Sequence, residues 1–365
     1  MLEHVFASQG PQLALASTAE PSPIPLEAVN MERIGFCFLD RPSVEKQIEL
    51  VKKIERLGYE SAWVTETRLA RDAFTVLGAF AAVTSRTKLC TGIVNSWTRG
   101  AALMAMTLAT LDELAPGRVI CGLGAYWDPL AWKQGIKRSK PVTQMREYLP
   151  AVRRLLNLEE FTYEGEFVKL RDITLDLGHG AVREPKPVKL YIGPTGPVMT
   201  DLAGEIADGA LLNGLLSPEY TRGMIQNLRA GAKKVGRSLD GFEQLQLVNI
   251  SMSEDQRSAR EVSRYLVTKY LGQQPHIGKA AGLEPELLER INKTMGGWPA
   301  RPGGIEEAMK FVADEVVDSL TISGNESHVK DRVYEWMDAG ITYPVLLPLS
   351  DNYDEMVEKL APGKW

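Results

Sequence analysis

Short apolar runs and amphipathic segments alternate along the chain from Arg33 to the C-terminus. Unbroken apolar runs of four to eight residues are typical of buried strands, and an apolar repeat of three to four residues is typical of helices. The predicted strands cover residues 34–39, 61–66, 87–95, 118–124, 188–193, 208–213, 242–253 and 343–350. Predicted helices fill the segments between them.

This alternation predicts parallel strands joined by right-handed crossovers. An open doubly wound sheet and a closed barrel both fit such a pattern. The count of eight strands and their continuously apolar character favour the barrel. We therefore predict an α/β fold, a (βα)8 TIM barrel formed as a single domain by residues 31–365. Residues 1–30 are rich in Ala, Ser and Pro and lack the features of a secretory signal, so we interpret them as an N-terminal extension that is flexible or packed on the surface.

Two insertions interrupt the alternation. One lies between the fourth helix and the fifth strand, at 159–188, and contains the hairpin-like run YEGEFVKL. The other lies before the last helix, at 272–304. Long insertions on barrel loops often cover a site, and a surface decoration is the alternative.

The composition of the chain argues against several classes of function. Charged residues make up 24% of the chain and the formal net charge is −5, which argues against a nucleic-acid partner. No run of 18 apolar residues is present, so we expect no membrane span. Cys37, Cys90 and Cys121 are widely spaced within apolar segments, which indicates a reducing, cytoplasmic location. The four histidines are scattered, so we expect no metal and infer that an organic cofactor carries the reaction.

One stretch suggests where an anion binds. The strand at 188–193 runs into Gly193-Pro-Thr-Gly-Pro197 and then directly into a helix. Glycine permits close approach of the backbone, and the free N–H groups at a helix N-terminus attract anions. From this stretch alone, a simple tight turn is an equally good interpretation.

The loops after the predicted strands carry the candidate chemistry, because barrel enzymes place their sites there. Polar and aromatic side chains are concentrated at Asn95 to Arg99 and at Tyr126 to Asp128. Such side chains can stack against a flat ring and hydrogen-bond to it.

Four segments together resemble the bacterial luciferase-like superfamily, and most of all its deazaflavin-dependent methylene-tetrahydromethanopterin reductases. They are KLCTGIVNSWTR, TLATLDELAPGRVICGLG, YEGEFVKL and PVKLYIGPTGPVMTDLAGEIADGALLN. The resemblance extends from Arg33 to the C-terminus. It implies a cofactor that is either coenzyme F420 or FMN, a small-molecule substrate and a homodimer.

The resemblance also implies roles for individual residues. Gly193, Thr195 and Gly196 would bind the cofactor phosphate, which is the anion interpretation of that loop. Gly92 and Ile93 match a cis peptide bond that bulges against the cofactor ring. The other implied cofactor contacts are Asn95, Thr98 and Asn213. Glu66 matches an acidic position that follows the second strand.

The chain also departs from the reductases. They carry a glutamate at the end of the first strand, where this chain has Cys37, and an Asp-His pair where this chain has Glu66-Thr67. A proton donor of the reductases is therefore missing. We expect Glu66 or Asp128 to supply a proton instead, although an ion pair of Glu66 with Arg68 or Arg99 is the competing interpretation.

These observations lead to three functional hypotheses. The first is an oxidoreductase that moves a hydride between coenzyme F420, or FMN, and a small organic substrate. The second is a monooxygenase that uses reduced FMN and oxygen, and the third is a non-catalytic flavin-binding relative. The predicted substrate pocket is lined by Cys37, Trp97, Tyr126 and Trp127.

Overall fold

The structure, a computed structural model, describes residues 31–180 and 182–365. The predicted N-terminal extension, residues 1–30, lies outside the described residues, and the division of the chain into this extension and one domain stays a prediction.

Eight parallel strands close into a barrel, as predicted. They are β1 (Gly35–Phe38), β2 (Ser61–Val64), β3 (Lys88–Asn95), β4 (Val119–Gly124), β7 (Lys189–Ile192), β8 (Gly209–Leu212), β9 (Glu243–Met252) and β11 (Tyr343–Pro348). Neighbours pair in that order, and β11 pairs back with β1 through Gly35 and Val345. The (βα)8 barrel prediction is therefore confirmed.

Helices of the predicted kind surround the barrel. They are α1 (Val44–Arg56), α2 (Ala73–Ala81), α3 (Ala101–Leu114), α5 (Pro141–Leu156), α6 (Pro197–Ile206), α7 (Pro218–Lys234), α8 (Gln256–Gln273) and α13 (Glu326–Asp338). Local signals explain several of their ends. Ser43 caps α1, where its hydroxyl accepts a hydrogen bond from the N–H of Lys46 at 3.3 Å. Pro197 occupies the first turn of α6, where no N–H is needed.

Further strands and helices lie outside the barrel and its eight surrounding helices. They are the antiparallel hairpin β5 (Phe161–Glu164) and β6 (Lys169–Ile173), the strand β10 (Ile322–Gly324), the helices α4 (Asp128–Lys133), α9 (Pro275–Ala280), α10 (Pro285–Met295), α11 (Gly304–Ala308), α12 (Asp314–Leu320) and α14 (Tyr353–Lys359), and a 3-10 turn at Met309–Phe311. The hairpin was predicted. The carboxylate of Glu147 on α5 holds its turn by accepting hydrogen bonds from three successive N–H groups, of residues 166, 167 and 168.

The interior of the barrel is filled by large side chains. Trp63, Tyr191 and Tyr343 are buried there, and the Trp63 Nε1–H donates to the Ser61 hydroxyl at 2.8 Å. Cys37 belongs to this interior, and its burial raises the pKa of its thiol. The predicted place of Cys37 in a substrate pocket is therefore corrected: its side chain packs inside the barrel.

A second hydrophobic core lies beside the barrel. It is formed by α8 and the elements of the second insertion and includes Val267, Leu271, Ile277, Leu288 and Met295. This core gives the insertion a folded structure of its own rather than that of an open loop. No described helix is long and apolar enough to cross a membrane.

Candidate active site

A cavity of about 660 Å³ opens at the carboxyl ends of the barrel strands. Apolar side chains from the strands form its floor. They are Leu39, Ile93, Leu211, Leu247 and Leu347. A cavity of this size with an apolar floor and a few polar groups around it is typical of a small-molecule site.

The most crowded point of the floor is Ile93. The Gly92–Ile93 peptide bond is cis, as the resemblance implied, and both residues line the cavity. A Cβ at Gly124 would lie 2.1 Å from Ile93 Cδ1, and one at Gly193 would lie 2.8 Å from Ile93 Cγ2. A Cβ at Gly122 would lie 2.4 Å from the Thr91 carbonyl oxygen. Glycine is therefore required on β4 and after β7 because the chain of β3 comes so close.

The N-terminus of α6 faces the same cavity. Thr195, Gly196 and Met199 line it, and Gly196, the N-cap, places no side chain on the free N–H groups. A Cβ at Gly196 would meet no atom within 4 Å. The Tyr220 hydroxyl fixes the loop by donating to the Thr195 carbonyl oxygen at 3.2 Å. The arrangement leaves an open, electropositive helix end beside the floor.

Glu66 lines the cavity at the end of β2 and forms a two-point ion pair. Both of its carboxylate oxygens accept hydrogen bonds from the Arg99 guanidinium at 2.8 Å. Arg99 also binds Asp72, the N-cap of α2. The hydrogen bonds to Glu66 raise the pKa of Arg99 despite its partial burial. The ion-pair interpretation of Glu66 is therefore present in the structure, with Arg99 as the partner.

The loop after β4 supplies an aromatic wall. Tyr126 and Trp127 line the cavity, and the Trp127 ring meets the Trp298 ring edge to face at a centroid distance of 4.9 Å. Asp128 begins α4 at the rim, with its side chain 71% exposed, and pairs with Arg138 at 2.5 Å. Partial burial raises the pKa of Tyr126.

The loop after β3 turns away from the cavity after Asn95. The Asn95 side-chain carbonyl accepts the N–H groups of Trp97 at 3.0 Å and Thr98 at 2.8 Å. Asn95 lines the cavity, whereas the Trp97 ring packs against Phe167 of the hairpin at 5.6 Å and Thr98 is exposed. Neither Trp97 nor Thr98 is among the residues that line the cavity, and their roles in binding stay predictions. Asn213, another of the implied cofactor contacts, lines the cavity directly after β8.

The second insertion and the end of α8 complete the site. Arg68, which follows β2 and was predicted only as a possible ion-pair partner of Glu66, lines the cavity. Tyr270, Gln273 and His276 also line it and were not predicted. Although His276 keeps an exposed edge, burial of the rest of the ring and the charge of Arg138 lower its pKa. For Gln273 and His276, the one signal in the sequence was the prediction that the insertion at 272–304 covers a site. No residue of the first insertion that the structure describes lines the cavity.

Within residues 31–180 and 182–365, no group of three or more His, Cys, Asp or Glu side chains is arranged to hold a metal ion. The groups that the cavity offers to a ligand are the apolar floor, the open N-terminus of α6 and the ion-paired side chains.

The fold and the site define a class, a (βα)8-barrel protein with a ligand cavity at the carboxyl ends of its strands. The family model described as luciferase-like monooxygenase matches residues 18–343. The chain belongs to this family.

Individual relatives agree with this assignment. The chain is 28% identical to the 5,10-methylenetetrahydromethanopterin reductase of Methanolobus tindarius over 90% of this chain and 98% of the relative. It is 30% identical to the reductase of the same name from Archaeoglobus fulgidus, over 81% and 87%. The crystal structure of the coenzyme F420-dependent tetrahydromethanopterin reductase of Methanopyrus kandleri superposes with a TM-score of 0.77 at 26% identity, covering 91% of this chain and 97% of that one.

The crowding at Ile93 gives a first prediction. Gly124→Ala places a methyl group where Ile93 Cδ1 lies, so Ile93 must move or change rotamer. We expect the free energy of unfolding to fall by about 1–3 kcal/mol, the usual range for overpacking. Urea unfolding followed by circular dichroism measures this change.

Gly178→Ala is the matched control, because Gly178 is exposed and its added Cβ would meet no atom within 4 Å. Adding Ile93→Ala to Gly124→Ala should recover part of the loss, since it removes the atom that clashes. A Gly124→Ala protein as stable as the wild type would contradict the packing argument.

Proposed function

We propose that this protein is an oxidoreductase that transfers a hydride between coenzyme F420 and a small organic substrate, with FMN as the alternative cofactor. The observation that carries the proposal is the open N-terminus of α6, which lies beside an apolar floor in one cavity. The similarity to the reductases, one of which is coenzyme F420-dependent, supports the same reaction class.

The residues present fit such a cofactor. Thr195 and Gly196 would hold its phosphate with backbone N–H groups, and the uncapped helix end favours the negative charge. Gly193 would contribute by close approach of its backbone, since its own N–H donates to the Leu123 carbonyl oxygen at 2.8 Å. Ile93 and Leu211 on the floor would support its ring, beside the Asn95 amide, whose Nδ2 group is not used by the loop. The cofactor supplies hydride chemistry that protein side chains lack.

The protein's own residues would bind the substrate and hold a proton. Tyr126 and Trp127 wall the substrate side, and Glu66 and Asp128 are the carboxylates of the cavity. Each oxygen of Glu66 uses one lone pair on Arg99 and retains a second, so the group can still accept or hold a proton on its cavity side. Glu66 is less exposed than Asp128, with 16% of its side chain accessible against 71%. We therefore propose Glu66, rather than Asp128, as the carboxylate that holds the transferred proton.

The phosphate site predicts the effect of a charge at the start of α6. Gly196→Asp should weaken cofactor binding more than tenfold, or roughly 1.4 kcal/mol, because it puts a carboxylate beside the phosphate. Asp is also a favourable N-cap, so the thermal midpoint should stay the same or rise. Fluorescence titration with coenzyme F420, and separately with FMN, measures affinity and decides between the cofactors.

Gly196→Ala is the control for size, since its Cβ enters open space. Gly196→Asn is the control for capping without charge. Equal affinity of wild type and Gly196→Asp for both cofactors would remove the assignment of the phosphate to this helix end.

The proton assignment predicts the effect of Glu66→Gln. This variant keeps the size of the side chain but cannot carry the proton, so turnover should fall by on the order of a hundredfold. Cofactor affinity should change little. Steady-state kinetics at saturating cofactor measures the rate.

Asp72→Asn separates two explanations for such a loss. It removes the other carboxylate on Arg99 while Asn still caps α2. We expect Asp72→Asn to retain most of the rate. If both variants lose the same amount, Glu66 acts by positioning Arg99 rather than by carrying a proton.

We also propose a homodimer in a reducing, cytoplasmic setting. Leu103, Met106 and Leu114 on one side of α3 are 46%, 53% and 56% exposed, and residues 101–111 of this helix carry no charge. A second copy placed there would bring apolar surfaces together without like charges. The three buried free thiols support the reducing setting. Light scattering should give the mass of two chains, and the mass of one chain would contradict the dimer.

A further inference from the structure

Arg68 lies in the cavity wall between two aromatic rings. Its guanidinium carbon is 4.5 Å from the ring centroid of Tyr270 and 5.8 Å from that of Trp127. Its φ is 49°, in the left-handed region that non-glycine residues rarely adopt. The side chain is thus placed at the cavity by the turn after β2 and by two aromatic contacts.

Arg68 differs from the other charged side chains of the cavity. Glu66 is paired with Arg99, and Asp128 is paired with Arg138. Arg68 forms no ion pair with a carboxylate of the described residues. Its hydrogen bonds go to neutral groups, the Tyr270 hydroxyl at 3.2 Å and the Gln273 Oε1 at 3.3 Å, with the Thr67 hydroxyl at 3.5 Å.

One donor of Arg68 has no partner at all. Its Nε is buried and makes no hydrogen bond. A buried donor without a partner is unfavourable, and a guanidinium strongly prefers a planar oxyanion that accepts two parallel hydrogen bonds. The guanidinium lies over both rings and Arg68 lines the cavity, so an oxyanion bound there would be the charged partner that this side chain lacks.

A second cation adds to the positive charge at this place. Lys269 on α8 is half-buried, and first its burial and then the nearby charge of Arg68 lower its pKa. Asp40 offsets this in part, while Arg41 adds to it. Lys269 thus lies close enough to Arg68 for the two positive charges to interact, beside the part of the cavity wall that α8 provides.

We propose that Arg68 binds an oxyanion group of the substrate, a carboxylate or a phosphate, and so makes the enzyme selective for anionic substrates. This rests on the proposed function, since it assigns the substrate side of the same cavity. The rings of Trp127 and Tyr270 would contact the apolar part of the molecule that carries the anion. The α6 N-terminus and Arg68 then bind two different negative charges, one on the cofactor and one on the substrate.

Three small probes test this selectivity: benzoate, phenyl phosphate and the neutral benzamide. Each is titrated by calorimetry into the wild type and into Arg68→Gln, with and without coenzyme F420. The wild type should bind at least one of the two anions about tenfold or more tightly than benzamide, and Arg68→Gln should lose this preference. The better anion identifies the group as a carboxylate or a phosphate.

Lys133→Gln is the matched control. It removes one positive charge near Trp298, 5.6 Å from that ring centroid, but Lys133 does not line the cavity. It should keep the preference for the anion, which excludes a general effect of net charge.

The remaining outcomes are distinct. A wild type without preference for either anion, or an Arg68→Gln protein that keeps the preference, overturns the proposal. If Arg68→Gln instead weakens binding of coenzyme F420, Arg68 serves the cofactor and the assignment to substrate is wrong. A wild type that binds neither coenzyme F420 nor FMN rejects the proposed function, while the titrations without cofactor still decide whether Arg68 binds an anion.

Discussion

The close approach of β3 to its neighbours is the constraint on which the site depends. The Ile93 side chain extends over the backbone of β4 and of the loop after β7, and glycine at 124 and 193 is what allows it to lie there. The same loop after β7 leads directly into α6. The apolar floor and the open helix end are therefore parts of one packing arrangement, and neither can shift without the other.

The carboxylates around this floor are all paired with arginines. The carboxylates of the cavity are held by arginines that reach them from the β3 loop and from the segment after α4. Such pairing satisfies the hydrogen bonds of each charged group, so removal of one partner would leave an uncompensated charge near the apolar floor. Arg68, by contrast, has no carboxylate partner within the described residues, and it lines the same cavity as the helix end.

Much of the fold could be predicted from the sequence because its signals are local. Continuous apolar runs identify the eight barrel strands, Ser43 marks the start of α1, and YEGEFVKL marks the hairpin. The strand β10 was missed because three residues are too few for a pattern. The helix α4 was missed because Asp128-Pro129 was interpreted as a loop, although proline is well suited to a first helical turn.

The site was predictable only where it follows the strand ends. Glu66, Asn95, Tyr126 and Gly196 come directly after strands, and the structure brings them together. The Trp97 ring lies against the hairpin because the backbone N–H groups of Trp97 and Thr98 donate to the Asn95 side-chain oxygen and turn the loop, which a single sequence does not reveal. Arg68 meets Tyr270 and Gln273, which are about two hundred residues away along the chain, and no local pattern encodes that contact.

The second hydrophobic core has an evolutionary consequence. The floor and the helix end belong to the barrel, whereas Tyr270, Gln273 and His276 are carried by α8 and the insertion, which pack around Leu271, Leu288 and Met295. The two sets of residues that line the cavity thus belong to two separately packed hydrophobic clusters. Mutations that repack the second hydrophobic core can reshape the cavity wall formed by α8 and the insertion, while the barrel and the chemistry it supports stay unchanged. Substrate specificity can therefore change without a change in the reaction.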